Sequence, residues 1–211
     1  MPDAELSLIP FPGADVLVRE IDTFDLIIFE NFTYRKFGIF PPHLESIKNW
    51  VNNGGGFIMI GGDNSFGKGH YQFTAIKDIL PVIMDDEGES IENEVFKPQI
   101  VDTAFPIFQS TQDNARNVWK DLPELDGYQK LLLHPQGTAL IRHPWARRKN
   151  ENIVILATRQ YGKGRTAALA TNSTWRWKML AKETDTHSVF WNNLINYLTG
   201  ALDEELSLIH I

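Results

Sequence analysis

The sequence predicts a three-layer α/β domain built on a mostly parallel sheet with an added antiparallel portion. The run FIMI at 57–60 is short, continuous and apolar, which is typical of a strand that is buried on both faces, and FDLIIF at 24–29, interrupted by Asp25, predicts a first buried strand. Between them, apolar residues recur at helical spacing from Pro41 to Asn53, and proline is well tolerated in the first turn of a helix. Gly54 then supplies a left-handed stop. A right-handed crossover through this helix makes the two strands parallel.

The remaining elements follow from apolar runs separated by turn residues. A second helix is expected at 71–80, ended by Pro81, and the acidic stretch 85–94 is expected to be a solvated loop. Further strands are predicted at 95–101 (an edge strand, since Pro98 interrupts it), 125–133, 138–142, 153–160 and 166–171, and those after 125 supply the antiparallel portion. The YGKGR segment at 161–165 predicts a tight hairpin, and a last helix is expected at 187–198.

Composition narrows the classes of function. The chain of 211 residues carries 20 basic and 27 acidic side chains, and its net charge of −7 disfavours nucleic acid or an anionic membrane as the main partner. No apolar run approaches the roughly 18–20 residues that span a bilayer, so we expect no direct membrane insertion by this segment. Cysteine is absent, which excludes disulfides, thiolate metal sites and a cysteine nucleophile. No cofactor is expected, and the cellular compartment stays open.

The sequences at both ends of the chain look unlike the ends of a complete natural domain. LSLIPF at 6–11 resembles a strand with no element before it, which suggests a fragment of a longer protein. LSLIHI at 206–211 resembles a translated sequencing-adaptor tail, so we exclude it from fold reasoning and give His210 no role. The economical interpretation is one domain over residues 1–205.

Two segments resemble a known family. They are GGGFIMIGGDNSFGKGHY at 54–71 and YGKGRTAALATNSTWRWK at 161–178, with FPI at 105–107 as a weaker third piece. They resemble the class I glutamine amidotransferase-like domain of the flavodoxin-like superfamily, which occurs in large bacterial membrane proteins beside von Willebrand A domains. The chain is more remotely similar to ThuA-like domains, in which a YGKGR hairpin leads into a strand. The resemblance covers about residues 6–200 and implies a flavodoxin-like sheet.

The catalytic triad of that family is missing at the matching positions. Active members carry a cysteine in the elbow after the central strand, and a histidine and a glutamate after a late strand. The matching elbow, residues 61–66, contains no cysteine, and residues 171–174 include neither histidine nor glutamate. Because glutamine hydrolysis needs a thiolate to form its thioester, the resemblance implies the fold without that reaction.

A functional crevice is expected where the first two strands end, since ligands of open α/β sheets bind outside the carboxyl ends of the strands. The candidate ligand-binding residues here are Asn31, Gly61, Gly62, Asp63, Asn64, Ser65 and Gly67. The loop could cradle an anion or a polar ligand with its backbone amides, or it could be a structural turn in which Asp63 or Asn64 caps a helix. Lys68 lacks the following Ser or Thr of a P-loop, which disfavours nucleotide binding.

Ser65 is a weak candidate nucleophile, with His70 or His187 as its base. A nucleophile elbow of the form GxSxG would need glycine at position 63, where aspartate stands. The competing interpretation is a cap or turn hydroxyl.

A second group of candidate ligand-binding residues follows the late strand: Ser173, Thr174, Trp175 and Arg176. Aromatic faces beside a guanidinium suit a sugar, a peptide or a carboxylate. Alternatively, the tryptophans pack the edge of the core and Arg176 pairs with Asp63 or Glu30. We expect one tryptophan in the core and the other exposed with Arg176.

Two further features are weighed. The six histidines show neither HxH nor HxxxH spacing, so no metal site is expected. The segment 143–152, HPWARRKNEN, is expected to be a basic surface loop with His143 exposed. Its Arg147, Arg148 and Lys149, with Arg142 just before them, could meet an acidic partner, but a solvated loop is the plainer interpretation.

Three hypotheses of function remain open. The leading one is a non-catalytic amidotransferase-like binding or interaction module of a larger envelope-associated bacterial protein, with an unknown protein or a small polar ligand as its partner. The second is a serine-dependent hydrolase that uses Ser65. The third is a purely structural domain that orients neighbouring modules.

Overall fold

The computed structural model describes residues 16–84, 88–109, 119, 122–180 and 185–201. The strands are β1 (Leu26–Glu30), β2 (Gly56–Ile60), β3 (Val82–Ile83), β4 (Ser90–Phe96), β5 (Gln99–Ile100), β6 (Leu125–Gln129), β7 (Leu132–Leu133), β8 (Thr138–Arg148), β9 (Glu151–Tyr161) and β10 (Gly164–Leu169). The helices are α1 (Val16–Arg19), α2 (Pro41–Asn53), α3 (Ile76–Ile79), α4 (Trp175–Leu180) and α5 (Thr186–Thr199), with 3₁₀ turns at Ile21–Thr23, Tyr71–Phe73 and Pro106–Phe108. Among the described helices, none is long and apolar enough to cross a membrane.

A six-stranded mixed sheet forms the centre, in the order β1-β2-β10-β9-β8-β5. The pairs β1–β2 and β2–β10 are parallel and the other three pairs are antiparallel, so four of the six strands run in the same direction. The predicted α/β fold, with its mostly parallel sheet and added antiparallel portion, is therefore confirmed. The described residues also form two small antiparallel sheets, β3–β7 and β4–β6.

The β1-α2-β2 unit forms, but β1 is not the buried strand expected at 24–29. It spans Leu26–Glu30 at the edge of the sheet, where Phe29 alone of its five residues is buried and Ile28 is 45% exposed. All five residues of β2 are buried, which requires both faces of the sheet to be covered. Helix α2 buries four apolar side chains, Leu44, Ile47, Trp50 and Val51. Gly54 ends the helix with φ +134°, a conformation that other residues rarely adopt.

The single helix expected at 71–80 is wrong. The chain forms a 3₁₀ turn at Tyr71–Phe73 and then the short α3. Thr74 separates them: its backbone is extended, its hydroxyl donates to the carbonyl of Tyr71 (2.8 Å), and its hydroxyl oxygen accepts from the amide of Ile76 (3.3 Å). A side chain that satisfies neighbouring backbone groups in this way competes with helix continuation.

The acidic stretch is also not the predicted loop. Residues 85–87 lie outside the described part of the chain, but from Ser90 onward the segment is β4, which pairs with β6. The single strand expected at 95–101 is broken between β4 and β5, and β5 lies at the sheet edge as the internal proline predicts. The single strand expected at 125–133 is likewise two strands, β6 and β7.

The basic surface loop expected at 143–152 is instead a long hairpin of β8 and β9. Only Lys149 and Asn150 turn the chain, both with positive φ (47° and 65°), as two-residue hairpin turns require. His143, expected on the surface, is 1% exposed. The predicted hairpin at 161–165 is confirmed, with Gly162 at φ +58°. The expectations for 6–11 and 206–211 lie outside the described residues.

Candidate functional site

A cavity of about 180 Å³ opens where β1, β2 and β10 end. Five segments line it: Asn31 after β1, Gly62 and Asp63 after β2, residues 90–92 of β4, residues 126–129 of β6, and residues 170–172 after β10. Three of these segments are the carboxyl ends of parallel strands, where α/β sheets bind ligands. The small β4–β6 sheet forms the remaining wall. We call this cavity the crevice.

Asn31 ties the first two loops of the crevice together. Its backbone is left-handed (φ 45°), and its Oδ1 accepts hydrogen bonds from the backbone amide (2.9 Å) and the side-chain amide (3.2 Å) of Asn64. Gly62 lies against it with φ +145°, and a Cβ at this glycine would be 2.6 Å from Cγ of Asn31. A Cβ on Gly61 would likewise be 2.7 Å from the carbonyl oxygen of Ala170. The glycine pair therefore lets three loops approach closely.

Gln129 joins the wall strand β6 to two of these loops. Its Nε2 donates to the carbonyl of Gly62 (2.5 Å), and its backbone amide donates to the carbonyl of Ala170 (2.8 Å). No sequence motif includes Gln129. Gln129 lies in the mixed segment LDGYQK at 125–130, and nothing in that pattern indicates a bond to a loop 67 residues away.

Asp126 supplies a carboxylate to the crevice that sequence analysis also missed. Its backbone is fixed by hydroxyls, since its amide donates to Oγ of Ser173 (2.9 Å) and its carbonyl accepts from Oγ1 of Thr171 (3.3 Å). Its Oδ2 lies 3.8 Å from Nη1 of Arg176. Its Oδ1 is buried and has no hydrogen-bond partner among the described residues. A buried acceptor without a donor is costly unless a ligand or water satisfies it.

The lining of the crevice is acidic. Asp63, Glu92 and Asp126 line it, and no lysine or arginine of the described residues does. Lys68 lies nearby, with its Nζ 3.1 Å from Oδ1 of Asp63 and 3.5 Å from Oε1 of Glu92. The bond to Asp63 is the main reason that the pKa of Lys68 is raised, so this lysine stays charged and offsets part of the negative potential. This lining favours ligands that donate hydrogen bonds and disfavours the anion that the glycine loop alone suggested.

The candidate nucleophile faces away from this chemistry. Ser65 is 1% exposed, and its hydroxyl donates to the carbonyl of Ile60 at 2.6 Å. His70 is exposed, with its ring 6.5 Å from that of Phe73, and His187 lies on α5. Among the described residues, no hydrogen bond joins Ser65 to either histidine. Burial, ahead of the nearby charge of Lys178, lowers the pKa of His187.

The residues after β10 divide between the core and the surface. Ser173 and Thr174 are buried, while Trp175 is 56% exposed and lies 6.0 Å from the guanidinium carbon of Arg176. Trp177 is fully buried, and its Nε1 donates to the carbonyl of Pro123 (2.9 Å). Arg176 is near Asp126 rather than Asp63 or Glu30, the partners that the sequence suggested.

Three other candidate residues do not line the crevice. Gly61 and Gly67 are buried, and Asn64 is half-buried and bonded to Asn31. Within the described ranges, no group of three or more His, Cys, Asp or Glu residues could hold a metal ion.

A family model described as "Putative glutamine amidotransferase" matches residues 14–200. The chain belongs to this glutamine amidotransferase-like family. No functionally curated protein matches it in sequence.

Solved structures resemble this glutamine amidotransferase-like chain at low identity. Two cytoplasmic proteins of Salmonella typhimurium are each 22% identical to it with a TM-score of 0.69, and the match covers 88% of this chain and 78% and 79% of theirs. A ThuA-like protein of Bacteroides uniformis is 10% identical with a TM-score of 0.55, and the match covers 88% of this chain and 73% of that protein. At these identities the likeness shows the fold alone.

Proposed function

We propose that this amidotransferase-like chain is a non-catalytic binding module whose crevice takes a small polar ligand rich in hydrogen-bond donors. The observation that carries the proposal is Asp126, a lining residue of the crevice whose Oδ1 has no hydrogen-bond partner among the described residues. An ammonium, amide or hydroxyl donor would satisfy it. A volume of about 180 Å³ suits a small molecule or one side chain of a partner protein.

The chemistry of the chain supports binding without glutamine hydrolysis. Thioester formation needs a cysteine thiolate, and the 211 residues include no cysteine. The nearest hydroxyl nucleophile in the loop, Ser65, is buried and donates its proton to a backbone carbonyl. Serine hydrolysis would require this bond to break and a base to reach the hydroxyl. Labelling with a fluorophosphonate probe, mapped by mass spectrometry, tests that alternative, and a label on Ser65 of the folded protein would establish it.

Calorimetric titration with defined probes tests the binding proposal. L-Glutamine, L-lysine and glucosamine present donors, whereas glutarate has a similar size and presents only acceptors at neutral pH. At least one donor probe should bind, glutarate should not, and Asp126→Asn should weaken binding at least about tenfold, because Asp126 is the carboxylate with the unpaired oxygen. The exposed Asp22 gives a matched control, Asp22→Asn. Binding of no donor probe, or equal binding by Asp126→Asn, would contradict the proposal.

A separate part of the proposal is that this module belongs to a larger, envelope-associated bacterial protein. The segments 54–71 and 161–178 resemble domains that occur beside von Willebrand A domains in bacterial membrane proteins, and this resemblance is its support. Sequencing the gene on both sides of this segment tests it. A neighbouring von Willebrand A domain and a membrane-spanning helix are expected, and an isolated reading frame that ends at this domain would contradict it.

A further inference from the structure

The β8–β9 hairpin concentrates positive charge in an acidic protein. Arg142, Arg147, Arg148 and Lys149 lie within eight positions of one another in a chain of net charge −7. Arg148 already has partners: its Nη1 donates to the carbonyl of Lys130 (3.2 Å), and its Nη2 lies 4.0 Å from Oε2 of Glu89. Arg142 and Arg147 form no ion pair with any described residue. The proposed donor ligand of the crevice does not account for this charge.

A large bulge in β8 separates Arg142 from Arg147. Arg142 pairs with Val154 and Arg147 with Asn152, so five steps along β8 match two steps along β9 and three extra residues loop out. The imidazole of His143 holds the bulge, because its Nδ1 accepts from the backbone amides of Ala146 (3.0 Å) and, more weakly, of Trp145 (3.4 Å).

His143 is itself fixed by aromatic packing. Its ring centroid lies 4.3 Å from that of Phe96 and 4.5 Å from that of Tyr128, and its Nε2 is 3.3 Å from Oε1 of Glu94. The bulge is therefore anchored to the β4–β6 sheet. A bulge that is anchored in this way holds the flanking side chains in a defined arrangement.

The space between the arginines is a cavity of about 320 Å³. Its lining residues are Leu133, Arg142, Arg147, Asn150, Glu151 and Asn152. The Nε of Arg142 is buried and has no hydrogen-bond partner among the described residues. A buried charged donor without an acceptor is unfavourable, and the remaining polar lining consists of two amides and one carboxylate, Glu151.

We propose that this bulge forms an oxoanion-binding site that takes the phosphoryl group of a small molecule. Guanidinium groups bind phosphate oxygens with two parallel hydrogen bonds, and Arg142, which lines the cavity, has an Nε without an acceptor among the described residues. Arg147 and the amides of Asn150 and Asn152 provide further donors. The carboxylate of Glu151 leaves one net positive charge in the lining, enough to attract an anion. This site shares no lining residue with the crevice, so the proposal does not depend on the proposed function.

The test is an NMR titration of the protein with inorganic phosphate, with chloride exchanged to keep the ionic strength constant. Phosphate should produce saturable shifts of the backbone amides of residues 142, 147, 150 and 152 and of the Nε–H resonance of Arg142. Arg142→Lys keeps the charge but removes the fork, and Arg147→Gln removes an exposed charge. Each should weaken binding about tenfold, which is about 1.4 kcal/mol.

Lys149→Gln is the matched control, because it removes the same charge from the same hairpin without lining the cavity. It should leave the phosphate affinity within about twofold of the wild type. Shifts that stay linear, shifts that chloride also produces, or equal effects of Arg147→Gln and Lys149→Gln would overturn the proposal. Arg147 is exposed, so its variant keeps the test decisive even where an Arg142 variant fails to fold.

Discussion

Nε2 of Gln129 donates a hydrogen bond to the carbonyl oxygen of Gly62, a residue 67 positions earlier in the chain. This bond joins the wall strand β6 to the glycine loop that follows β2. Together with the bond from its backbone amide to Ala170, it makes Gln129 one of the links between the central sheet and the small β4–β6 sheet, beside the bonds of Asp126 to Ser173 and Thr171. The shape of the crevice depends on this link.

Gln129→Leu should destabilise the protein by about 0.5–1.5 kcal/mol, because the change removes the side-chain donor to the carbonyl of Gly62, which then accepts only from the backbone amide of Ser65 (3.1 Å). Urea denaturation measures the loss. Gln99→Leu is the control, since Gln99 is exposed on the edge strand β5, and it should change the free energy of unfolding by no more than about 0.5 kcal/mol. Equal losses in the two variants would show that the Gln129 bond contributes nothing.

Gly62→Ala should cost more than Gly38→Ala. Both glycines have positive φ, but a Cβ at Gly62 would collide with Asn31, whereas nothing lies within 4 Å of a Cβ at Gly38. Strain alone predicts a loss of about 1–2 kcal/mol at Gly38, and the collision adds to it at Gly62.

A double-mutant cycle identifies the cause of that difference. Asn31→Gly removes the colliding side chain, so it should recover part of the stability that Gly62→Ala loses. If the losses in the free energy of unfolding caused by Asn31→Gly and Gly62→Ala simply add in the double variant, then the collision between the two positions does not explain the loss.

The two tryptophans near the crevice should behave oppositely. Trp177→Ala should destabilise the protein by about 3–5 kcal/mol, because it empties a fully buried site and leaves the carbonyl of Pro123 unpaired. Trp175→Ala should change stability by no more than about 0.5 kcal/mol, because more than half of its side chain is exposed. Thermal or urea unfolding of both variants checks the pair, and a large loss in Trp175→Ala would contradict the assignment of this residue to the surface.

Stability should fall as the pH drops below about 6.5. Burial lowers the pKa of His143, with Glu94 acting in the opposite direction, so the unfolded chain binds more protons than the folded one in this range. Burial lowers the pKa of His134 and His187 as well, and their contributions have the same sign. Denaturation at pH 7.5 and 5.0 measures the free energy of unfolding, and NMR of the histidine ring shifts measures the pKa of each histidine.

His143→Gln isolates the contribution of the buried histidine. Glutamine retains an oxygen that can accept the amide of Ala146 but does not titrate, so the variant should show a flatter pH dependence. A ring pKa at or above 6.5 for His143, or an unchanged slope in the variant, would contradict this account.

Local sequence patterns predict the parts of this fold that local forces decide. The β1-α2-β2 unit has a continuous apolar strand, prolines in the first helical turn and a glycine stop, and all three signals agree. Thr74 shows the limit of such patterns, because one hydroxyl that bonds to its neighbours is enough to split the helix expected at 71–80.

The wall of the crevice depends on long-range pairing that no local pattern encodes. The acidic β4 is predicted as a loop because its stability comes from β6, whose paired residues lie 29 to 39 positions later. Asp126 and Gln129 belong to no motif, and their roles follow only from the loops that β6 meets. The burial of His143 could not be predicted for a similar reason. A histidine beside a proline in a basic run does not indicate that three aromatic rings lie around it.

The most direct test of the central claim is an NMR titration of the wild-type protein with L-glutamine, L-lysine and glucosamine, with ammonia release measured in the same glutamine sample. We predict saturable shifts of the amides of Asn31, Gly62, Gly127 and Asn172 with at least one of the three, and no ammonia. Shifts confined to other surfaces, or ammonia release by the protein, would contradict a non-catalytic module that binds donor-rich ligands in the crevice.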